Sequence, residues 1–85
     1  MEFNPEVEKM KTNEQAYEDL LFERDEIDGR ILRLSNFIDD VHNISKLSLH
    51  QKILLSIQLQ AMKTYKEILT ARAADIKIYS SKNSK

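Results

Sequence analysis

The chain has 85 residues, with no cysteine, one glycine and one proline. The lack of cysteine excludes disulfide bonds and cysteine-based metal sites, and the two histidines, His42 and His50, are too few for a structural zinc site. Abundant Glu, Lys, Leu and Ile favour a mostly helical chain, and a chain this short needs partner subunits to enlarge its core.

Charge is unevenly distributed along the chain. Residues 1–42 hold 12 Asp/Glu against 5 Lys/Arg (net −7), whereas residues 43–85 hold 2 against 8 (net +6). This asymmetry favours packing of one half against the other and leaves the basic half able to receive an anion; it is not typical of proteins that bind nucleic-acid polymers. No apolar run is long enough to span a membrane, and the acidic start MEFNPEVEK is unlike a signal peptide. We therefore expect a soluble, intracellular protein.

The first half predicts a short helix and then a long one. Asn4-Pro5-Glu6 is a helix start, which predicts a short helix over residues 5–11. Thr12 and Gln15 form a capping-box pattern that begins a long helix over about 13–41. Its apolar residues fall in two columns with a spacing of seven, and Arg24 interrupts the second. The columns are Leu20, Ile27, Leu34 and Val41, and Tyr17, Ile31 and Ile38.

The second half predicts a turn and another long helix. The turn lies in VHNISKLS, and Ser48 with Gln51 forms a second capping box at the start of a helix over about 48–79. Residues 80–85 have the composition of a flexible tail. The helix carries three apolar columns: Leu55, Met62, Leu69 and Ile76; Leu54, Ala61 and Ile68; and Ile57, Ala71 and Ile78.

One antiparallel partner cannot cover so wide an apolar surface. We therefore predict an all-α fold in which residues 1–79 form one domain, a short N-terminal helix followed by a long antiparallel αα-hairpin. The hairpins assemble into a homo-oligomeric helical bundle with the second long helix at its centre.

Nothing in the sequence predicts an enzyme, a metal site or a cofactor. There is no nucleophile with its base, no glycine-rich phosphate loop and no metal-binding motif. The carboxylate clusters of the first long helix are interpreted as a solvated face. These clusters comprise Glu23, Asp25, Glu26 and Asp28, and Asp39 with Asp40.

Two polar features border the apolar columns. Gln51, Gln58, Tyr65 and Arg72 recur every seven residues and form a row along the second long helix. This row is either a flank at the water line or a wall of a pocket at a subunit boundary. Arg24 either snorkels outward, pairs with an acid or faces an anion at such a boundary.

Two stretches carry a resemblance to known proteins. FERDEIDGRILRLSNFIDD and KLSLHQKILLSIQLQAMKTYKEILTARAADI resemble small phage helical-hairpin proteins with the pattern RIxKLxxFI followed by QLxAMxxYxxILxxRI. They are also similar to phage anti-CBASS cyclic-nucleotide sponges of the Acb/Tad type. The likeness covers about residues 12–78.

The resemblance implies a non-enzymatic counter-defence protein in the cytoplasm of the infected host cell. Such proteins form homo-oligomers, hexamers in the sponge family, and sequester cyclic dinucleotides and cyclic trinucleotides. The family's dinucleotide pocket lies between protomers and pairs an aromatic residue with a basic one. By this resemblance Arg24 is the basic residue, Phe3 or Tyr17 is the aromatic one, and Arg72 matches the basic residue of the trinucleotide site.

Two other functions fit the same sequence features. A helical interaction module or inhibitor would bind a host protein through its apolar and acidic faces. An acidic mimic of nucleic acid would use the −7 first half to block a basic enzyme. Neither alternative predicts binding of a small cyclic nucleotide.

Overall fold

The computed structural model describes residues 12–83, so the predicted short helix at 5–11 and Phe3 lie outside the described residues. Three helices follow in order: α1 (Asn13–Asp39), α2 (Val41–Ser45) and α3 (Leu49–Asn83). The two long helices, α1 and α3, pack side by side in opposite directions. For this part of the chain, the predicted all-helical fold with packed long helices is confirmed.

Helix α1 begins at the predicted capping box. The Thr12 Oγ1 atom accepts a hydrogen bond from the backbone N–H of Gln15 at 3.1 Å, and the Gln15 side chain accepts one from the Thr12 backbone N–H at 3.3 Å. These two bonds satisfy amide groups that have no partner within the helix.

The end of α1 differs from the prediction. The helix stops at Asp39 rather than at about 41, because Asp40 adopts an extended conformation (φ −85°, ψ 112°). Its carboxylate accepts a hydrogen bond from the His42 backbone N–H at 2.9 Å and so caps α2. Aspartate competes with the helix for backbone amides, and this capping explains the early break.

Helix α3 begins at the predicted cap, with the Ser48 half of the capping box formed and the Gln51 half not formed among residues 12–83, and it ends later than predicted. The Ser48 hydroxyl accepts a hydrogen bond from the Gln51 backbone N–H at 3.1 Å. The helix then continues to Asn83, four residues past the predicted end, so the backbone of residues 80–83 is helical rather than a flexible tail. The segment SSKN contains no Pro or Gly, and serine and lysine do not prevent a helix from continuing.

The core of the hairpin is small. Among the described residues Leu20, Leu69 and Ala73 are buried, with Tyr17, Leu21, Ile27 and Ile76 packed against them. Thus the first apolar column of α3 faces α1, as the burial of Leu69 requires.

The other two columns of α3 are exposed in the single chain. Ile57, Ile68 and Ile78 have 60%, 50% and 55% of their surfaces in water. The radius of gyration is 17.3 Å, against about 12 Å for a globular domain of 85 residues. The hairpin is only 15 Å thick in its thinnest dimension, so no second layer from the described part of the chain covers these residues.

Gly29 lies inside α1, and its replacement by alanine tests how much this glycine lowers the stability of the helix. Among the described residues, a Cβ atom added there would meet only Arg33 Nη1, at 3.4 Å. Because glycine in a helix interior is less favourable than alanine, we expect Gly29→Ala to raise the free energy of unfolding by about 0.5–1 kcal/mol, measured by urea denaturation. A loss of stability would instead indicate that another backbone approaches Gly29 closely in the assembled protein.

Candidate functional site

The polar contacts between α1 and α3 include two hydrogen bonds between side chains. The Tyr65 hydroxyl donates to Glu23 Oε1 at 3.1 Å, and Lys66 Nζ donates to Asp28 Oδ1 at 2.6 Å. Tyr65 and Lys66 are separated by about 100° around α3, and Glu23 and Asp28 by about 140° around α1. The two contacts therefore lie on opposite edges of the helix pair.

We name these surfaces the Tyr65 edge and the Lys66 edge. Residues seven or eleven apart on a helix lie nearly one above another, which assigns the neighbouring residues to one edge or the other. The Tyr65 edge comprises Glu23, Arg30 and Phe37 on α1 and Gln58, Tyr65 and Arg72 on α3. The Lys66 edge comprises Tyr17, Arg24 and Asp28 on α1 and Lys66 and Lys77 on α3.

The Lys66 edge carries two of the predicted ligand residues. Lys77 Nζ lies 5.7 Å from the centre of the Tyr17 ring, a cation–π contact that the sequence analysis did not identify. Arg24 lies two turns from Tyr17 and forms an ion pair with its neighbour Asp25 at 3.3 Å. Arg24 thus pairs with an acid, which was one of its three predicted environments.

Arg72, a further predicted ligand residue, lies on the Tyr65 edge, so the predicted site residues do not form one cluster. Tyr17 and Arg24 lie on one side of the hairpin and Arg72 lies on the other. Within the described residues, the structure therefore separates the residues expected for dinucleotide and trinucleotide binding.

The Tyr65 edge also contains a groove between α1 and α3, with a volume of about 480 Å³. Its more buried part is apolar and its exposed rim is polar and aromatic. We name it the Arg30 groove. The apolar part consists of Ile27, Leu34 and Met62, and the rim of Arg30, Arg33, Phe37 and Gln58.

Sequence reasoning identified only one wall of this groove. Gln58 belongs to the predicted polar row on α3, but Arg30 and Phe37 were not identified as site residues. A signal was present: Glu23, Arg30 and Phe37 have the same spacing of seven as the α3 row. The spacing in α1 indicates a site only once the structure shows that the α1 row and the α3 row lie opposite each other.

The Tyr65 phenol is electrostatically perturbed. Desolvation raises its pKa above the ordinary value of 10.0, and the hydrogen bond to Glu23 and that residue's negative charge raise it further. The positive charge of Arg72 offsets part of this increase in the pKa of Tyr65. Arg72 is therefore electrostatically coupled to Tyr65 and Glu23.

Residues 12–83 contain neither a cluster of metal ligands nor a membrane-spanning helix. No group of three or more His, Asp or Glu side chains is arranged to hold a metal ion in this part of the chain. Likewise, none of its helices combines the length and apolar character needed to cross a membrane.

The raised pKa of Tyr65 can be tested by titration of the phenolate absorbance, using Tyr65→Phe to isolate its signal. We expect Glu23→Gln to lower the pKa of Tyr65 towards 10.0. Because the folded-state pKa is raised, the stabilisation is present below pH 10 and is lost as the pH rises through the folded-state value. An unchanged Tyr65 titration in Glu23→Gln would contradict the role of Glu23.

Comparison with known proteins identifies the family of this hairpin. No curated protein and no solved structure matches the chain significantly. The model of the Sequestin family matches residues 14–75, which include every residue of the two edges except Lys77. This match confirms the resemblance to sponge-type hairpin proteins. Since it covers 62 of the 85 residues, the chain belongs to the Sequestin family.

Proposed function

We propose that this protein binds and sequesters cyclic di- and trinucleotide second messengers without cleaving them, and so inhibits CBASS immunity in the cytoplasm of the infected host cell. The observation that carries the proposal is the Sequestin match over residues 14–75, whose family name denotes sequestering. Sequestering requires affinity and a sufficient number of copies, and it needs no reacting group.

The chemistry of both edges supports this ligand class. A cyclic dinucleotide has two phosphodiester charges and two flat bases, so it needs cations, stacking planes and groups that bond to base edges. The Lys66 edge offers the Tyr17 ring with Arg24 and Lys77. The Tyr65 edge offers an amide, a phenol and the Arg72 guanidinium.

In the proposal, Tyr17 and Arg24 bind a dinucleotide and Arg72 binds a trinucleotide. Their separation on opposite edges is compatible with two distinct ligand sites. The ion pair of Arg24 with Asp25 is exposed, and exposed pairs contribute only about 0–1 kcal/mol. A phosphate can therefore replace Asp25 at little cost. Phe3, outside the described residues, is the alternative stacking partner.

The proposal includes a homo-oligomer, a hexamer by analogy with the sponge family, with α3 at its centre. Its support is the exposure of two complete apolar columns of α3. Burying such surface is the main favourable contribution to association. Neighbouring protomers would also add walls to sites that are open in one chain.

A second function is binding to a host protein as a helical inhibitor. The observation that favours it is the exposure of Phe22 (66%) and Leu32 (62%) on the acidic helix α1. Two exposed apolar side chains among carboxylates suit a partner with an apolar, basic surface. The two functions differ in their response to small anions.

A thermal-shift panel of cyclic di- and trinucleotides tests the sponge function. We expect at least one cyclic nucleotide to raise the melting temperature, because a ligand at 100 times its Kd stabilises the folded state by about 2.7 kcal/mol. Arg24→Ala should abolish the shift with dinucleotides, and Arg72→Ala should weaken only the shift with trinucleotides.

The same panel separates the two functions. If no cyclic nucleotide shifts the melting temperature of the wild-type protein, the sponge function is wrong and the host-protein function is favoured. If Arg24→Ala keeps full dinucleotide protection, Arg24 is not a ligand residue.

Light scattering tests the assembly. We expect Ile68→Asp to reduce the molar mass of the particle, because the charge would be buried in the α3 interface, while circular dichroism remains helical. Leu32→Asp, on α1, is the matched control and should leave the mass unchanged. A monomeric wild-type protein would refute the proposed oligomer.

A further inference from the structure

The Arg30 groove has a feature that the two predicted sites lack. Within residues 12–83, neither Arg30 nor Arg33 forms an ion pair or a hydrogen bond. Glu26, four residues before Arg30, forms no ion pair with it. Helix α1 is rich in carboxylates, so two arginines at one groove that have no acidic partner among the described residues form a local excess of positive charge.

The two guanidinium groups can converge on one anion. Arg30 and Arg33 are three residues apart, so they are neighbours on the helix surface. Arg33 Nη1 lies close to Gly29, where the missing side chain leaves it room. Moving this group onto a ligand would break no hydrogen bond to another residue in 12–83. Forked guanidinium groups suit phosphate oxygens better than a lysine point charge does.

The rest of the groove suits a flat base. Phe37 follows Arg33 by one turn and is 39% exposed, so its ring is accessible for stacking. Ile27, Leu34 and Met62 provide an apolar surface below it. The Gln58 amide, on the opposite wall, has no hydrogen-bond partner among residues 12–83 and can donate to and accept from a base edge.

The charges around the Arg30 groove determine how a bound nucleotide would be oriented. Glu23 lies two turns before Arg30 and binds Tyr65, so negative charge occupies the end of the Tyr65 edge beyond Arg30. A phosphate would be repelled at that end and attracted at Arg30 and Arg33. The attached base would then extend towards Phe37. The volume of about 480 Å³ lies within the usual range of small-molecule sites.

We propose that the Arg30 groove binds one phosphodiester and its adjoining base, with Arg30 and Arg33 on the phosphate, Phe37 stacked on the base and Gln58 at the base edge. This inference rests on the proposed sequestering function and adds a site within a single chain. An aliphatic carboxylate would satisfy the arginines but not the aromatic ring and the amide, and for this reason a nucleotide is favoured.

Isothermal titration with cyclic di- and trinucleotides tests the groove. We expect the double variant Arg30→Ala/Arg33→Ala to bind at least one of these ligands at least tenfold more weakly than the wild-type protein. Phe37→Leu keeps the apolar volume but removes the stacking plane, and should weaken the same ligand about fivefold or more. Arg30→Gln, a milder single change, provides a second test if the double variant does not fold.

Lys63→Ala is the matched control, because Lys63 is an exposed cation that does not line the groove. It should leave binding unchanged, which separates a specific contact from a general loss of positive charge. If the wild-type protein binds a cyclic nucleotide and both arginine variants bind it equally well, the groove inference is refuted and the proposed function remains. If the wild-type protein binds no cyclic nucleotide, both are refuted.

Discussion

Within residues 12–83, each long helix of this hairpin packs against one other long helix, and it can bury only the face that this helix covers. The contact between α1 and α3 therefore determines what is core and what is surface. It buries Leu20 against Leu69 and Ala73 and leaves two apolar columns of α3 in water. It also creates two lateral edges, where polar side chains of both helices meet.

The register of the two helices decides which polar groups meet on those edges. The contacts of Tyr65 with Glu23 and of Lys66 with Asp28 lie on opposite sides of the core and are compatible with a single alignment. A shift by one residue would rotate each row by about 100° and separate Arg30 from Gln58. The register thus places cationic groups of the acidic helix beside the polar row of the basic one. The Arg30 groove is a product of that alignment rather than of a local motif.

Local chemistry made much of the fold predictable. Thr12 and Ser48 cap their helices as expected, since a cap depends only on residues within one turn. The apolar column containing Leu69 faces the partner helix, because its spacing already marks one helix face. The early stop at Asp39 was not predicted, because it depends on one hydrogen bond, in which the Asp40 carboxylate accepts from the His42 backbone N–H and caps α2.

The candidate sites were less predictable for a different reason. Arg72 and Arg24 were selected one helix at a time, and nothing in either helix shows that they lie on opposite edges. Arg30 and Phe37 have the spacing of a row on one helix face. Whether such a row lines a binding site depends on which residues of the other helix lie opposite it. Such cross-helix information depends on the packing register, which a single sequence does not specify.

The open apolar columns of α3 also affect how the protein would act as its amount increases. In the proposed assembly this surface is buried by other copies of the chain, so the stabilisation gained grows with the logarithm of chain concentration. At low concentration the chains would be single hairpins of low stability, whose sites between protomers are incomplete. At high concentration they would be assembled and more stable. Capacity to hold a ligand would then rise more steeply than the number of copies, giving the protein a threshold of accumulation below which little messenger is retained.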